Sequence, residues 1–310
     1  MITEALIAGF LASAVRVSTP LLLAATGETI TERSGVINLG VEGAMLAGAL
    51  GGALGATAGG VWAGAAAAML AGLVTAGLFA AVAIAGRADQ IITGTAVTLA
   101  SVGLTGIIYR QAYGPAGAGL SLPTFGDAPI PGLSEIPVLG DALFSQPLPT
   151  YLAWLTVPLV WWVLFRTRWG LALRATGESP EAAMAAGVRI RLVKVMATLI
   201  GGSLAGLAGG TLVLAQVGTF AEKMTAGRGF IAIAIVVLGR WHPVWVLGAA
   251  LLFGGASALQ FLFQAMGLDV PYQVFLMLPY VLSIAAMVVM ARRARYPKAL
   301  LVPFRRGDRV

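Results

Sequence analysis

The side chains in this sequence that could do chemistry are few, and most sit in apolar surroundings. Arg16 and Glu42 are ionisable groups inside hydrophobic runs, where insertion scales put the cost of a charge at about 2.5 to 3.5 kcal/mol and where such groups face a bundle interior or a wet cavity. Glu42 shares the phrase SGVINLGVEGAM with Asn38 and with glycines at 35, 40 and 43. Those glycines weaken helix and would let backbone groups line a cavity, as in the broken helices of transporters. Asn38 and Glu42 are therefore expected at or near a translocation pathway, with Arg16. The competing reading has Glu42 pair with Arg16 or accept backbone N–H groups, solely to hold the break. Gln216 and Gln260 could hydrogen-bond a sugar or a base on the same pathway, although bonding between helices is the commoner role. Thr93, Thr95, Thr98, Ser101 and Thr105 spread hydroxyls over more than one face of a helix. Hydroxyls so placed often satisfy only their own helix's carbonyls.

Other chemistries find no footing. With no cysteine there is no disulfide, thiolate metal site or cysteine nucleophile, and the one histidine, His242 in RWHP, has no ligand partners close by. A phosphate-binding loop needs a Gly-Lys-Ser/Thr step, yet Lys194, Lys223 and Lys298 follow Val, Glu and Pro. No nucleophile and base stand at catalytic spacing. The chain is expected to be no enzyme and to carry no metal or cofactor, its energy coming from a partner or an ion gradient.

The elements that must position these residues are membrane helices. Of 310 residues, 58% are hydrophobic and 11% charged, with a mean hydropathy of +0.89 and 41 glycines; this composition fits helices packed through small residues in a bilayer. A hydrocarbon core of about 30 Å needs about 20 apolar residues of helix. Nine runs qualify, near 5–25, 36–58, 60–86, 91–110, 150–166, 195–217, 229–239, 244–265 and 270–291. The seventh is too short alone and must borrow from 219–228, be a half helix, or turn back. The first has no positive leader and no clear cleavage site, so it reads as a span and not a signal peptide. The fold class expected is an all-α membrane protein, a polytopic bundle of about nine spans.

Charge sets the orientation. Residues 111–149 hold no Lys or Arg, three acids and seven prolines, an irregular outer loop. Residues 166–194 carry six basic residues and the tail after 291 seven, so both belong inside, with the N-terminus outside. The net charge of +7 then reflects topology, not nucleic-acid binding. Trp154, Trp161, Trp162 and Trp169 flank the fifth run as interface anchors, and the basic tail 292–310 can touch anionic membrane lipid.

The order of elements also repeats. SGVINLGVEGAMLAGALGG (34–52) leads into VWAGAAAAML (61–70), and RGFIAIAIVVLG (228–239) leads into VWVLGAALLF (244–253). With one span between the units they enter from opposite faces, an inverted repeat of the kind that builds transport pathways. The whole chain, 1–310, thus reads as one transmembrane domain: repeat one about 5–110, outer loop 111–149, linking span 150–166, cytoplasmic segment 167–194, repeat two about 195–291, basic tail 292–310.

Within the cytoplasmic segment, Ser179 is placed as N-cap, Pro180 at the first helical position, Glu181 at the positive dipole end and Gly187 as the stop of a short helix. A helix of about two turns does not stand alone in water, so it is expected to dock on something. Glu181-Ala182-Ala183 with Gly187 resembles the EAA motif of ABC importer permeases, the coupling helix that fits a groove on the ATPase. Together with ERSGVINLGVEGAMLAGA (32–49), and over nearly the whole chain, the sequence resembles permeases of the ribose and nucleoside ABC importer family, most of all the smaller permease of nucleoside systems. Larger relatives carry an extra N-terminal span, which is missing here. The resemblance implies a multi-pass protein of the cell (cytoplasmic or inner) membrane, moving a nucleoside or pentose-type solute. It also implies an ATP-binding subunit carrying ATP and Mg, a second permease subunit in a heterodimer, and an extracytoplasmic substrate-binding lipoprotein. A secondary transporter or a branched-chain amino acid type ABC permease is the alternative.

Overall fold

A computed structural model of the chain describes residues 4–114, 121–265, 272–290 and 296–302. Helices dominate: α1 (Glu4–Arg33), α2 (Val41–Phe79), α3 (Gln90–Tyr113), α4 (Leu148–Arg166), α5 (Arg168–Glu178), α6 (Pro180–Ala185), α7 (Ile190–Thr211), α8 (Arg228–Leu238), α9 (Pro243–Ala265) and α10 (Tyr272–Met290). Short π-helical turns extend α2 through Ala85 and α7 through Val217. Among the described residues, five helical stretches are long and apolar enough to cross a membrane, with α8 and Pro243–Leu259 as shorter apolar helices. The large apolar side chains point outward on many of them: Val74, Ile92 and Leu99 are each about two-thirds exposed or more, while Glu28 and Glu32 of α1 are buried. Apolar outside and polar inside is the arrangement a bilayer demands.

The long helix α2 is two antiparallel arms. Gly59 and Gly60 leave helical geometry, Gly60 at φ +79°, and a Cβ on Gly55 would lie 2.6 Å from the Ala63 carbonyl and one on Gly51 2.9 Å from that of Ala67. The expected division between a run ending at 58 and one starting at 60 falls on this Gly-Gly turn.

Small residues set the packing. The centre of the bundle is the crossing of α1 and α7, where a Cβ on Gly27 would stand 2.7 Å from the Gly201 carbonyl and the Thr31 hydroxyl donates to the Ala197 carbonyl at 3.3 Å. The second arm of α2 lies against α7 through Gly72, Gly202 and Gly206, and α9 lies against α1 through Gly254 beside Ala14 and Ser18. Backbones this close leave no room for side chains, and dispersion replaces the hydrophobic effect as the source of association in lipid.

The segment 218–241 contains the short seventh run. Gln216, just before it, reaches Arg16 near one end of α1, and Trp241, at its far side, reaches Glu32 and Arg33 at the other. Residues 16 and 33 are separated by about 25 Å of helix. The chain between them therefore extends from the Arg16 end of α1 to its Arg33 end, part irregular and part as the short helix α8. Residues 121–147 strap over the Arg16 end, with Leu122 N–H donating to Gly218 (2.9 Å) and Phe125 N–H to Leu214 (2.7 Å).

Candidate functional site

The residues singled out near Glu42 meet at a junction of two helix starts. After α1 the chain reverses at Gly35 (φ +82°) and runs back into the bundle as irregular backbone before α2 begins at Val41. Buried backbone outside a helix must find partners, and here they come from neighbouring elements and from Asn38 within the segment. Ile37 N–H donates to Gln90 Oε1 at 2.9 Å, Asn38 N–H to Glu28 Oε1 at 2.8 Å and Gly40 N–H to Asn38 Oδ1 at 3.0 Å. The Leu39 carbonyl accepts from the Thr98 hydroxyl at 3.1 Å. Gly94 of α3 allows the approach, since a Cβ there would come 2.8 Å from the Gly40 nitrogen.

One turn on, Glu42 projects from the first turn of α2 onto the start of α8. Its Oε1 accepts from the Thr225 hydroxyl (2.6 Å) and Gly227 N–H (2.8 Å), and its Oε2 from Gly229 N–H (2.7 Å). Gly229 must be glycine, because a Cβ would lie 2.6 Å from the Glu42 backbone. The carboxylate thus occupies the positive ends of two helices at once and satisfies donors that α8 cannot satisfy itself. Of the two structural partners weighed for Glu42, backbone N–H groups are the ones observed. Pairing with Arg16 is not: the Arg16 guanidinium bonds to Asp127 Oδ1 at 3.1 Å and Gln146 Oε1 at 3.4 Å, because the strap over that end brings its own carboxylate.

Gln216 has a defined task beside Arg16. Pro20 in α1 has no N–H, which frees the carbonyl four residues back, and Gln216 Nε2 donates to that Arg16 carbonyl at 2.7 Å. Asn38 and Glu42 thus share one locus and Arg16 and Gln216 another. Gln260 falls within α9, its side chain outside the described residues. Thr93, Thr95 and Thr105 donate to their own helix, while Thr98 alone of the set reaches another segment.

The short helix of the segment 167–194 forms over Pro180–Ala185 and stops at Gly187 (φ +84°). Ser179 stands at the N-cap position, but its hydroxyl makes no capping bond. Ala183 is buried, whereas Glu181, Ala182, Ala185 and Ala186 are exposed. Around this helix the segment is fastened to the Arg33 end of α1. The Arg174 guanidinium lies 4.9 Å and that of Arg33 5.9 Å from the Phe165 ring, on which His242 also stacks at 5.3 Å. Burial, and then the Arg33 charge, hold the His242 imidazole below its ordinary pKa, so it is neutral at neutral pH.

Several residues of these contacts escaped the sequence reading. Glu28 and Glu32 lay in a supposed polar turn, because the first run was ended at 25; α1 continues to Arg33 and turns both carboxylates inward. Their i, i+4 spacing was the available signal. Lys194, the last residue of the expected cytoplasmic segment, is buried in the second turn of α7.

Comparison with known proteins decides the family. A sequence profile described as the branched-chain amino acid transport system / permease component matches residues 10–290. The chain belongs to this permease family. Among individual relatives, the guanosine ABC transporter permease protein NupQ of Bacillus subtilis (strain 168) is 38% identical over 300 residues, covering 94% of each chain. The nucleoside ABC transporter permease protein NupC of Lactococcus lactis subsp. cremoris is 33% identical over 292 residues, 91% of this chain and 92% of its own. The putative glucose ABC transporter permease protein TsgC13 of Haloferax volcanii is 40% identical over 264 residues, 84% and 79% of the two chains. No solved structure matches the permease. The chain is an ABC importer permease, a multi-pass membrane protein, as the resemblance implied.

Proposed function

We propose that this permease moves a nucleoside, or a pentose-type solute, inward through the cytoplasmic membrane as one of two permease subunits, driven by ATP and Mg bound on a separate ATPase. The cargo assignment rests on the nucleoside relatives, which match along almost their whole length. The mode of drive rests on one structural observation: α6 is held by its single buried residue, Ala183, and offers Glu181, Ala182, Ala185 and Ala186 to whatever lies beyond. Small residues on a pinned helix suit a rigid contact in a groove. Closure of the ATPase dimer would push on α6 and, through Phe165, Arg33 and Trp241, on the ends of α1 and α8. Tilting of the two halves then alternates access, with solute delivered from outside by a binding lipoprotein.

The topology belongs to the same reading. With the two arms of α2 counted separately and the segment 218–241 taken as a span, the proposed bundle has nine crossings, N-terminus outside and the α6 side within. The pairing α1 with α9 and α7 with the second arm of α2 has the symmetry of an inverted repeat. The burial of Asn38 and Glu42 where α2 and α8 start supports a pathway near them in such a repeat.

The test is uptake of labelled guanosine, ribose and leucine by cells expressing the permease with its neighbouring transport subunits. Nucleoside uptake is expected, abolished by Glu181→Arg with Ala182→Glu while the permease is still made and folded, and with the ATPase no longer co-purifying. Leucine uptake instead would favour the cargo in the family's description. Uptake that survives loss of the ATPase and collapses with a protonophore would overturn the ATP-driven mode.

A further inference from the structure

At the α6 end of the bundle a cavity of about 730 Å³ opens between the two repeats. Among the described residues, four cationic side chains line it, Arg87, Arg189, Arg191 and Lys194, and no carboxylate does. Asp89, the nearest acid in sequence to Arg87, is engaged as the cap of α3, accepting from Ile92 N–H at 2.9 Å. Lys194 is the decisive member. Only 4% of it is exposed, and among the described residues its ammonium has no hydrogen-bond acceptor and no ion-pair partner. A buried cation without an anion is costly, and a cation lining an open cavity with three guanidiniums is a site awaiting its counter-charge.

The remaining walls narrow the chemistry. Ile84, Val188 and Val195 line the cavity, and so does Leu192, which is half exposed. A small inorganic anion needs no such walls; an amphiphile does. We infer that this cavity binds a phosphate-bearing anion, and that its occupant is the headgroup of an acidic phospholipid whose acyl chains leave past Leu192. Because the cavity is walled by Val188 and Arg189 beyond α6, by Arg87 between α2 and α3 and by the start of α7, an occupant ties the α6 segment to both repeats. Its presence would stiffen the link by which α6 moves the bundle. The inference does not depend on the cargo or on the source of energy.

The experiment uses the full chain in detergent, stripped of lipid, with native mass spectrometry and thermal melting as readouts. Phosphatidylglycerol is titrated against phosphatidylcholine, and inorganic phosphate is added separately. The wild type should retain phosphatidylglycerol at roughly tenfold lower concentration than phosphatidylcholine and melt higher with it, the preference expected of a few charge-assisted contacts. Arg87→Gln with Arg191→Gln, both at exposed positions and so tolerated by the fold, should erase that preference; Lys194→Gln should do the same and Lys194→Arg should keep it. Equal retention of the two lipids by the wild type, or an undiminished preference in the exposed double variant, overturns the lipid site. Stabilisation by inorganic phosphate that the double variant loses, without lipid preference, would assign the cavity to a free phosphate and overturn the headgroup as occupant.

Discussion

Glu42 is worth more to this fold than a buried charge usually is, because it accepts three hydrogen bonds and gives α8 its missing cap. Glu42→Gln keeps one carbonyl oxygen but turns an NH2 group toward donors, leaving at least one backbone N–H facing another. The expected cost is about 2 to 3 kcal/mol, read as a lower melting temperature in detergent, with Glu42→Ala lower still. Melting unchanged in both variants would show that the junction is not held this way. Gly229→Ala should mimic them by steric means, since its methyl meets the Glu42 backbone. A second residue-scale prediction concerns pH. His242 has its pKa lowered by burial and by Arg33, so the unfolded chain takes up the proton first as pH falls. Stability from the neutral imidazole is complete above about pH 6.5 and is lost progressively below it. Melting between about pH 7.5 and about pH 5.5 should therefore drop further in the wild type than in His242→Gln; identical drops would remove His242 from the account.

At the scale of elements, the glycines divide into those under a neighbouring backbone and those that merely lie in helix. Gly206 faces the Ala68 carbonyl and Gly72, while nothing lies within 4 Å of a Cβ on Gly103 in α3. Gly206→Ala should destabilise by about 1 to 3 kcal/mol, an overpacking cost, and Gly103→Ala should be neutral or gain up to about 1 kcal/mol from helix propensity. Thermal melting of the two variants side by side checks this, and equal effects would refute packing as the reason. The same division explains what was legible in the sequence. Long apolar runs exposed the helices, the end of one run at 58 and the start of the next at 60 the turn between arms, and Gly35 and Gly40 the break before α2, since each is a local property. Local signals also drew the helix Pro180–Ala185 and its stop. The partners of Arg16, Glu42 and Gln216 were not legible. Each bond spans more than a hundred residues and depends on a neighbour, the strap or the proline-freed carbonyl, that no local pattern announces. Glu28 and Glu32 were hidden differently: charge normally ends a span, but these carboxylates turn inward to serve the Asn38 backbone and the Trp241 indole.

For the whole molecule the consequential question is which end faces the cytoplasm, because the proposed contact of α6 with an ATPase requires it on that side. The strap at 121–147 carries acids and no Lys or Arg, whereas Arg33, Arg174, Arg189 and Arg191 gather at the other end. An excess of basic residues marks the cytoplasmic side. The absence of native cysteine makes single-cysteine labelling clean. Gly126→Cys in the strap and Gly60→Cys at the turn of α2 should react with a membrane-impermeant maleimide on intact cells, the latter position lying at the strap's end because Trp62 packs edge-on against Phe125 at 5.3 Å. Ala182→Cys on α6 should react only once the membrane is opened. Arg240→Cys, after α8, should follow Ala182→Cys if segment 218–241 crosses, and would follow Gly126→Cys if it dipped and returned. Labelling of Ala182→Cys from outside would leave α6 on the wrong face to receive work from ATP, and with it the coupling path through Phe165 and Arg33 would fail.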